Sequence, residues 1–351
     1  MVGKKTLKET NPAVLRQAML KRLPRRIAGR GQIVFPAVPS LLDHYVHNVN
    51  GVFSAHGRLF SAEELGHVRG ILQKKLQEGF AASPYAKVIV DYSTDAPPST
   101  ALSYTVSHAV VTIADEYDAW VKTRTPPLFG AHPDAKVTEV AASLGEPSRV
   151  RVLDVGAGTG RNMLPLAEAG FAVDAVELAP ALAAILREEV AKRGLACRIL
   201  ENDILDEALD LSPSSYDLIV LAEVVASHFR NPDHVRQLFE VASRLLAPGG
   251  VLLFSVFLSS TGFKPDALAR ELSEVMWCTI FTRREFDELA NGLPFKKVSD
   301  ESVFEFERAN LPESAWPPTG WFAEWTQGQD LFDLPPERAP LELRWLVYRR
   351  E

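Results

Sequence analysis

The stretch Val152-Leu153-Asp154-Val155-Gly156-Ala157-Gly158-Thr159-Gly160 limits the architecture of this chain more than any other. An apolar run ending in an acid, then glycines at alternate positions, then a helix-forming segment is the pattern of a strand that turns sharply into a helix. Glycine serves such a turn because it adopts positive φ freely and lets backbone lie against a ligand with no Cβ between them. The helix beyond the turn opens with unsatisfied N–H groups. The G-x-G-x-G spacing departs from the G-x-G-x-x-G that accommodates a dinucleotide pyrophosphate, so a different ligand is expected.

Around this motif, strand-like and helical patterns alternate from Arg149 to the C-terminus. Strands are predicted at 150–155, 172–177, 197–202, 216–222, 250–257, about 295–303 and 343–349. Helices are predicted near 161–169, 180–193, 232–246 and 266–291. Such alternation implies an α/β fold with a doubly wound, mainly parallel seven-stranded sheet, here preceded by a smaller N-terminal α+β domain. Leu41 to Val49 repeat at helical spacing, as do Leu65 to Leu76 after Ser61, an N-cap with Glu64 at the capping-box position. The segments 87–92 and 102–106 read as a hairpin. Helices are expected over Ile113–Lys122 and Asp134–Leu144, on either side of the rigid Pro126-Pro127 turn. The predicted domains are a basic arm over 1–38, a helical and hairpin domain over 39–130, and a ligand-binding domain over 131–351. The last carries a structureless Trp- and Pro-rich insert at 305–340, of a length that usually lines or closes a site.

Composition narrows the function. Lys and Arg number 38 against 45 Asp and Glu, a formal charge of -7 that disfavours a general nucleic-acid binder. The exception is residues 1–30, where Lys4, Lys5, Lys8, Arg16, Lys21, Arg22, Arg25, Arg26 and Arg30 face the single acid Glu9. A solvated arm is expected there, with contact to an acidic partner as the alternative. The two cysteines, Cys197 and Cys278, form neither a disulfide framework nor a metal set, which fits a reducing, cytoplasmic compartment. No apolar run reaches the roughly 20 residues of a spanning helix, so no membrane association is expected. His44 and His47 share a helix face but lack further ligands, and no metal site is assigned.

Three further strand ends carry suitable polar groups: Glu177, the pair Asp203-Ile204, and the turn Pro248-Gly249-Gly250. Together with the glycine turn, residues 135–260 resemble the class I, Rossmann-like S-adenosylmethionine (SAM) dependent methyltransferases. The run Gly158-Thr159-Gly160-Arg161-Asn162 is similar to a small-molecule branch of that superfamily. The resemblance implies SAM as methyl donor and S-adenosylhomocysteine (SAH) as product. Asp154, Gly156, Ala157, Gly158, Gly160 and Asn162 would then receive the methionine portion. Glu177 would accept the ribose hydroxyls, Asp203 the adenine amino group, and Leu178, Ile204 and Ala222 would line the ring.

After the fourth strand the chain reads Ala222-Glu223-Val224-Val225-Ala226-Ser227-His228-Phe229-Arg230-Asn231-Pro232. Methyl transfer is an in-line displacement assisted by a base when the acceptor carries a proton. His228, at the start of the next helix, and Glu223 are the candidate catalytic residues. Arg230 is a candidate partner for an acceptor carboxylate. The Asn/Asp-Pro-Pro-aromatic signature for exocyclic amines is absent, Asn231-Pro232-Asp233 being no substitute. Trp277, Phe281, Trp321 and Trp325 are expected to roof an acceptor or to be core, and Tyr117, Trp120 and Phe129 to close over the cofactor. The expected function is methyl transfer to oxygen or nitrogen of a small molecule. A peptide or protein acceptor, and a SAM-binding scaffold without turnover, are the alternatives. The hairpin edge offers a surface for a homodimer.

Overall fold

The computed structural model describes residues 8–21 and 26–351. Lys4, Lys5, Arg22 and Arg25 of the predicted basic arm lie outside the described residues. The chain divides into two compact units, one up to Thr112 and the other from Ile113.

In the first unit, helix α1 (Pro12–Leu20) is capped by Asn11, whose side chain accepts from the Ala13 N–H, and all its residues are exposed. A three-stranded antiparallel sheet follows in the order β1 (Gly29–Pro36), β2 (Lys87–Thr94), β3 (Leu102–Ala109). Helices α2 (Leu42–Ala55) and α3 (Ala62–Ala82) bury Tyr45, Val49, Phe53, Leu72 and Leu76 in one core with Val88 and Val90 of β2. Each such side chain contributes roughly 1.5–3 kcal/mol. The capping box forms as predicted: Ser61 Oγ accepts from the Glu64 N–H, and the Glu64 carboxylate accepts from the Ser61 N–H. Strand β1 corrects the arm, which was expected to reach residue 38. Within it a Cβ would lie 2.5 Å from the His56 ring at Gly29 and 2.8 Å from the Tyr92 hydroxyl at Gly31. The glycines mark close packing inside a strand.

The second unit contains α4 (Ile113–Thr123), α5 (Ala135–Ser143), β4 (Arg151–Val155), α6 (Met163–Glu168), β5 (Ala172–Glu177), α7 (Pro180–Arg193) and β6 (Arg198–Glu201). There follow β7 (Tyr216–Leu221), α8 (Val224–His228), α9 (Pro232–Leu245), β8 (Leu246–Ser259), α10 (Ala267–Val275), β9 (Ile280–Phe281) and α11 (Arg283–Leu289). The chain ends with β10 (Phe295–Ser302), α12 (Val303–Asn310), α13 (Phe322–Trp325) and β11 (Leu341–Arg350). The sheet order is β10-β11-β8-β7-β4-β5-β6, with β9 paired to β8. Strands β6, β5, β4, β7 and β8 are parallel, and β11 enters antiparallel between β8 and β10. This is the doubly wound, mainly parallel sheet predicted.

The near-continuous apolar strands are buried on both faces. Val152, Leu218 and Leu253 belong to one core, and their neighbours Leu153, Ile219 and Leu252 to the other. The chain leaves β4 for β5 and β6, then returns to β7 and β8 on the other side. The strand order therefore reverses at the carboxyl end of β4, where a doubly wound sheet opens a crevice.

Three expectations are corrected here. The boundary falls before α4 and not near residue 130, because Tyr117 and Val121 pack with Leu128, Phe129, Ala179 and Leu182 of the second unit. The helix predicted over 266–291 is split into α10 and α11 by Met276–Thr279 and β9, with Trp277 at φ +59°. The insert at 305–340 is not structureless: it holds α12, α13 and short 3-10 turns, and buries Phe322 and Trp325. No described helix is long and apolar enough to cross a membrane.

Candidate functional site

A cavity of about 670 Å³ opens at the carboxyl ends of β4, β5 and β7, within the second unit. Its wall takes in Asp154, Gly156, Ala157, Gly158, Asn162, Glu177, Leu178, Asp203, Ile204, Ala222, Glu223 and His228. Gly160, predicted among the ligand contacts, is not in that wall. It sits at φ +93°, where a Cβ would come within 2.7 Å of Leu164 and Leu186 side-chain atoms, so it serves the close approach of α6 and α7.

The turn is held from β5. The Gly156 N–H donates to the Val176 carbonyl (2.7 Å), and the Gly158 N–H donates to the Glu177 carboxylate (2.7 Å). The other Glu177 oxygen accepts from the Ala179 N–H at 2.8 Å. Each oxygen keeps a lone pair, so the pair of acceptor positions expected for two vicinal hydroxyls remains. Glu177 is 4% exposed, and burial raises its pKa against those N–H contacts. At the end of β6, Asp203 is exposed and accepts from the Leu205 N–H (2.9 Å), while Ile204 is buried and Leu178 is half exposed.

Beneath the turn lies a charge network with little sequence signal. Arg161 donates through Nη1 to Asp134 (2.5 Å) and through Nη2 to Glu223 (2.6 Å), with only 7% of its side chain exposed. Asp134 starts α5 but does not cap it with its carboxylate, which also accepts from Asn162 Nδ2 at 2.9 Å. Asn162 Oδ1 accepts in turn from the Asp134 N–H, so this predicted ligand contact mainly fixes Asp134. The first N–H groups of α5 go instead to Glu307 of α12, at 2.7 Å from Ala135 and 3.2 Å from Lys136, and Trp345 Nε1 donates to the same carboxylate. Arg161 is thus shared among several buried acids. Burial pushes Asp154 up to about 7 against the opposing charge of Arg161, and Glu223 and Glu307 also to about 7. Sequence reasoning named Arg161 only within the family-like run and gave Glu307 no role. A charge directly after a glycine turn was the available sign for the first; the second depends on a partner 172 positions away.

Glu223 takes the left-handed conformation (φ 65°), and its N–H donates to Ser255 Oγ at 2.7 Å. The strain of a non-glycine residue there aims the carboxylate back at Arg161. His228 closes the five-residue α8 and does not start a helix, because the turn into α8 begins at Glu223. Its Nε2 lies 2.9 Å from the Tyr117 hydroxyl, and burial lowers its pKa to about 4, opposed by a contact with the Ser227 backbone. The imidazole is neutral. Arg230 is committed to Glu274 (2.5 Å), which removes it as an acceptor anchor. Phe281 is core, 1% exposed, and outside the cavity wall. Tyr117, Trp120, Phe129, Trp277, Trp321 and Trp325 do line it.

Residues 152–250 match the family model of the methyltransferase domain. The ubiquinone biosynthesis O-methyltransferase of Xanthomonas axonopodis pv. citri is 32% identical over 143 residues, covering 41% of this chain and 55% of that protein. The chain spans about half the length of the curated relatives it matches. Among solved structures, phosphoethanolamine N-methyltransferase 2 of Haemonchus contortus aligns with a TM-score of 0.51 at 16% identity, over 71% of this chain and 63% of that one. The geranyl diphosphate C-methyltransferase of Streptomyces coelicolor A3(2) aligns with a TM-score of 0.48 at 15% identity, over 62% and 80%. The glycine turn, the sheet order and the match over residues 152–250 agree on a class I, Rossmann-like SAM-dependent methyltransferase domain within the second unit.

Proposed function

We propose that the second unit binds SAM and transfers its methyl group to an oxygen or nitrogen of a small molecule. One observation carries the reading: the glycine turn and the ends of β5, β6 and β7 line a single cavity that continues among aromatic side chains. The residues present fit the cofactor. A Cβ at Gly156 would meet Val224 Cγ2 at 2.3 Å, so this approach is open only to glycine. Around the turn the acids Asp134, Asp154, Glu177 and Glu223 outnumber the Arg161 guanidinium, a setting that favours a cationic ligand.

When bound, SAM supplies an electrophilic methyl on a sulfonium. Asp154, with the backbone of the glycine turn lying against the ligand, would receive the amino-acid end. Glu177 accepts the ribose hydroxyls, Asp203 takes the adenine amino group, and Leu178, Ile204 and Ala222 lie against the ring. His228, neutral at physiological pH, is available to take the acceptor's proton. Glu223, the other candidate catalytic residue, is held by Arg161 and shapes the floor, a supporting role. The test is calorimetric titration with SAM and SAH of wild type, Glu177→Ala and Asp203→Ala. Saturable binding weakened by both changes supports the reading; a folded wild type that binds neither compound refutes it.

A further inference from the structure

The aromatic part of the cavity has a definite chemistry. Tyr117, Trp120 and Phe129 form mutual ring contacts with centroids 5.4 to 6.2 Å apart, and Trp277 lies 5.7 Å from Tyr117 and 5.4 Å from Trp120. His228 is 5.5 Å from Trp277. This cluster starts at the glycine turn, where Phe129 comes within 3.2 Å of the Cβ position of Gly158. A quaternary or protonated amine would suit an aromatic cage, but here the cation is already present. The Arg124 guanidinium sits 3.4 Å above the Trp120 ring. His228 is neutral, Glu223 is engaged by Arg161, and Asp330 of the lining is exposed, where water screens it. A second cation beside Trp120 would meet repulsion from Arg124.

Trp277 is the unusual member. At φ +59° it occupies a backbone region that bulky residues rarely adopt. Neighbours hold it there: its carbonyl accepts from Ser227 Oγ (3.2 Å) and Trp325 Nε1 (3.1 Å), and the Cys278 N–H donates to the Ser273 carbonyl (2.9 Å). Such strain persists where surrounding structure over-determines it, and it concentrates at ligand sites.

Resting on the methyl-transfer reading, we propose that the acceptor is a neutral, planar aromatic molecule bearing a ring hydroxyl, placed beside the Tyr117–His228 pair, with Trp277 as the residue that sets its size. In the reaction the acceptor O–H bond breaks and its proton passes to the His228 imidazole. The oxygen's electron pair forms the new O–CH₃ bond, and the methyl's bond to sulfur breaks with both electrons to sulfur, leaving SAH. His228 then returns its proton to water.

The experiment measures tryptophan-fluorescence quenching by catechol, 2,3-dihydroxynaphthalene, benzylamine and cyclohexanol, with and without SAH, alongside methyl transfer from labelled SAM. The two phenols should bind at least about tenfold more tightly than benzylamine or cyclohexanol, a difference within the reach of pocket discrimination. Trp277→Gly, which suits positive φ, should shift the kcat/KM preference by about tenfold toward the two-ring phenol, with Trp277→Phe restoring the wild-type order. SAM affinity should stay unchanged in both variants. Equal binding of benzylamine, no quenching by either phenol, or an unmoved ratio in a folded Trp277→Gly overturns the proposal. Absent SAM binding with intact phenol quenching would instead refute the cofactor reading.

Discussion

Replacing Arg161 with methionine removes the cation hydrogen-bonded to both Asp134, which is buried, and Glu223, which is mostly buried. Breaking a buried pair by deleting one partner costs about 3–5 kcal/mol. The structure says how that cost depends on pH. An orphaned buried carboxylate escapes by protonating, and each pH unit above its unfolded value costs about 1.4 kcal/mol. Glu223 already titrates near 7 in the folded protein, so it adds only about 1.4 kcal/mol at about pH 8 and nothing at the lower pH. The expected loss is therefore about 3–5 kcal/mol at about pH 8 and smaller at about pH 5.5, where Glu223 is protonated and no longer needs the cation. In the wild type the sign runs the same way. Asp154, Glu223 and Glu307 have folded values raised to about 7, so stability is full below the ordinary carboxylate range and is lost as pH rises through about 7. Urea unfolding of wild type and variant at both pH values, followed by near-UV circular dichroism, measures this. A penalty equal at the two pH values, or under about 1 kcal/mol at the higher one, would refute the electrostatic account.

Two further outcomes are expected. Gly156→Ala places a Cβ 2.3 Å from Val224 Cγ2 at φ +69°, so thermal unfolding should show a loss of about 1–3 kcal/mol and calorimetry a loss of SAM binding; a variant that binds SAM normally would show the turn to be more pliable than described. If His228 is the base, kcat should lack an inflection between pH 6 and 7 and fall only as pH drops toward about 4, with His228→Asn lowering kcat by about 10²-fold or more; a rate that tracks an ordinary imidazole titration argues for a different base.

Reading the chain in order recovered the strands of the main sheet because a strand buried on both faces needs a continuous apolar run, and such runs stand out one by one. Helices with local caps were equally legible, Ser61 with Glu64 being the clearest. The glycine turn, Glu177 and Asp203 were readable for a related reason: each lies at the end of a strand already located, and the doubly wound order brings those ends together. What could not be read depended on neighbours distant in sequence. The strand holding Gly29 and Gly31 lay inside the predicted arm, and only the packing of His56 and Tyr92 against those glycines marks it. Trp277 interrupted an apparently continuous helix because donors from Ser227 and Trp325 hold its carbonyl.

The sequence by itself determined the α/β class, the resemblance of residues 135–260 to one superfamily and the strand ends that converge on the cavity, since those follow from patterns local to a few residues. Only the tertiary structure decided how charge is shared beneath the glycine turn and which aromatic side chains become wall and which become core. Trp321 and Phe281 are alike as letters; one lines the cavity and the other is sealed in the interior. Burial and the identity of a charge's partner are properties of packing, and packing is settled by residues far apart in the chain.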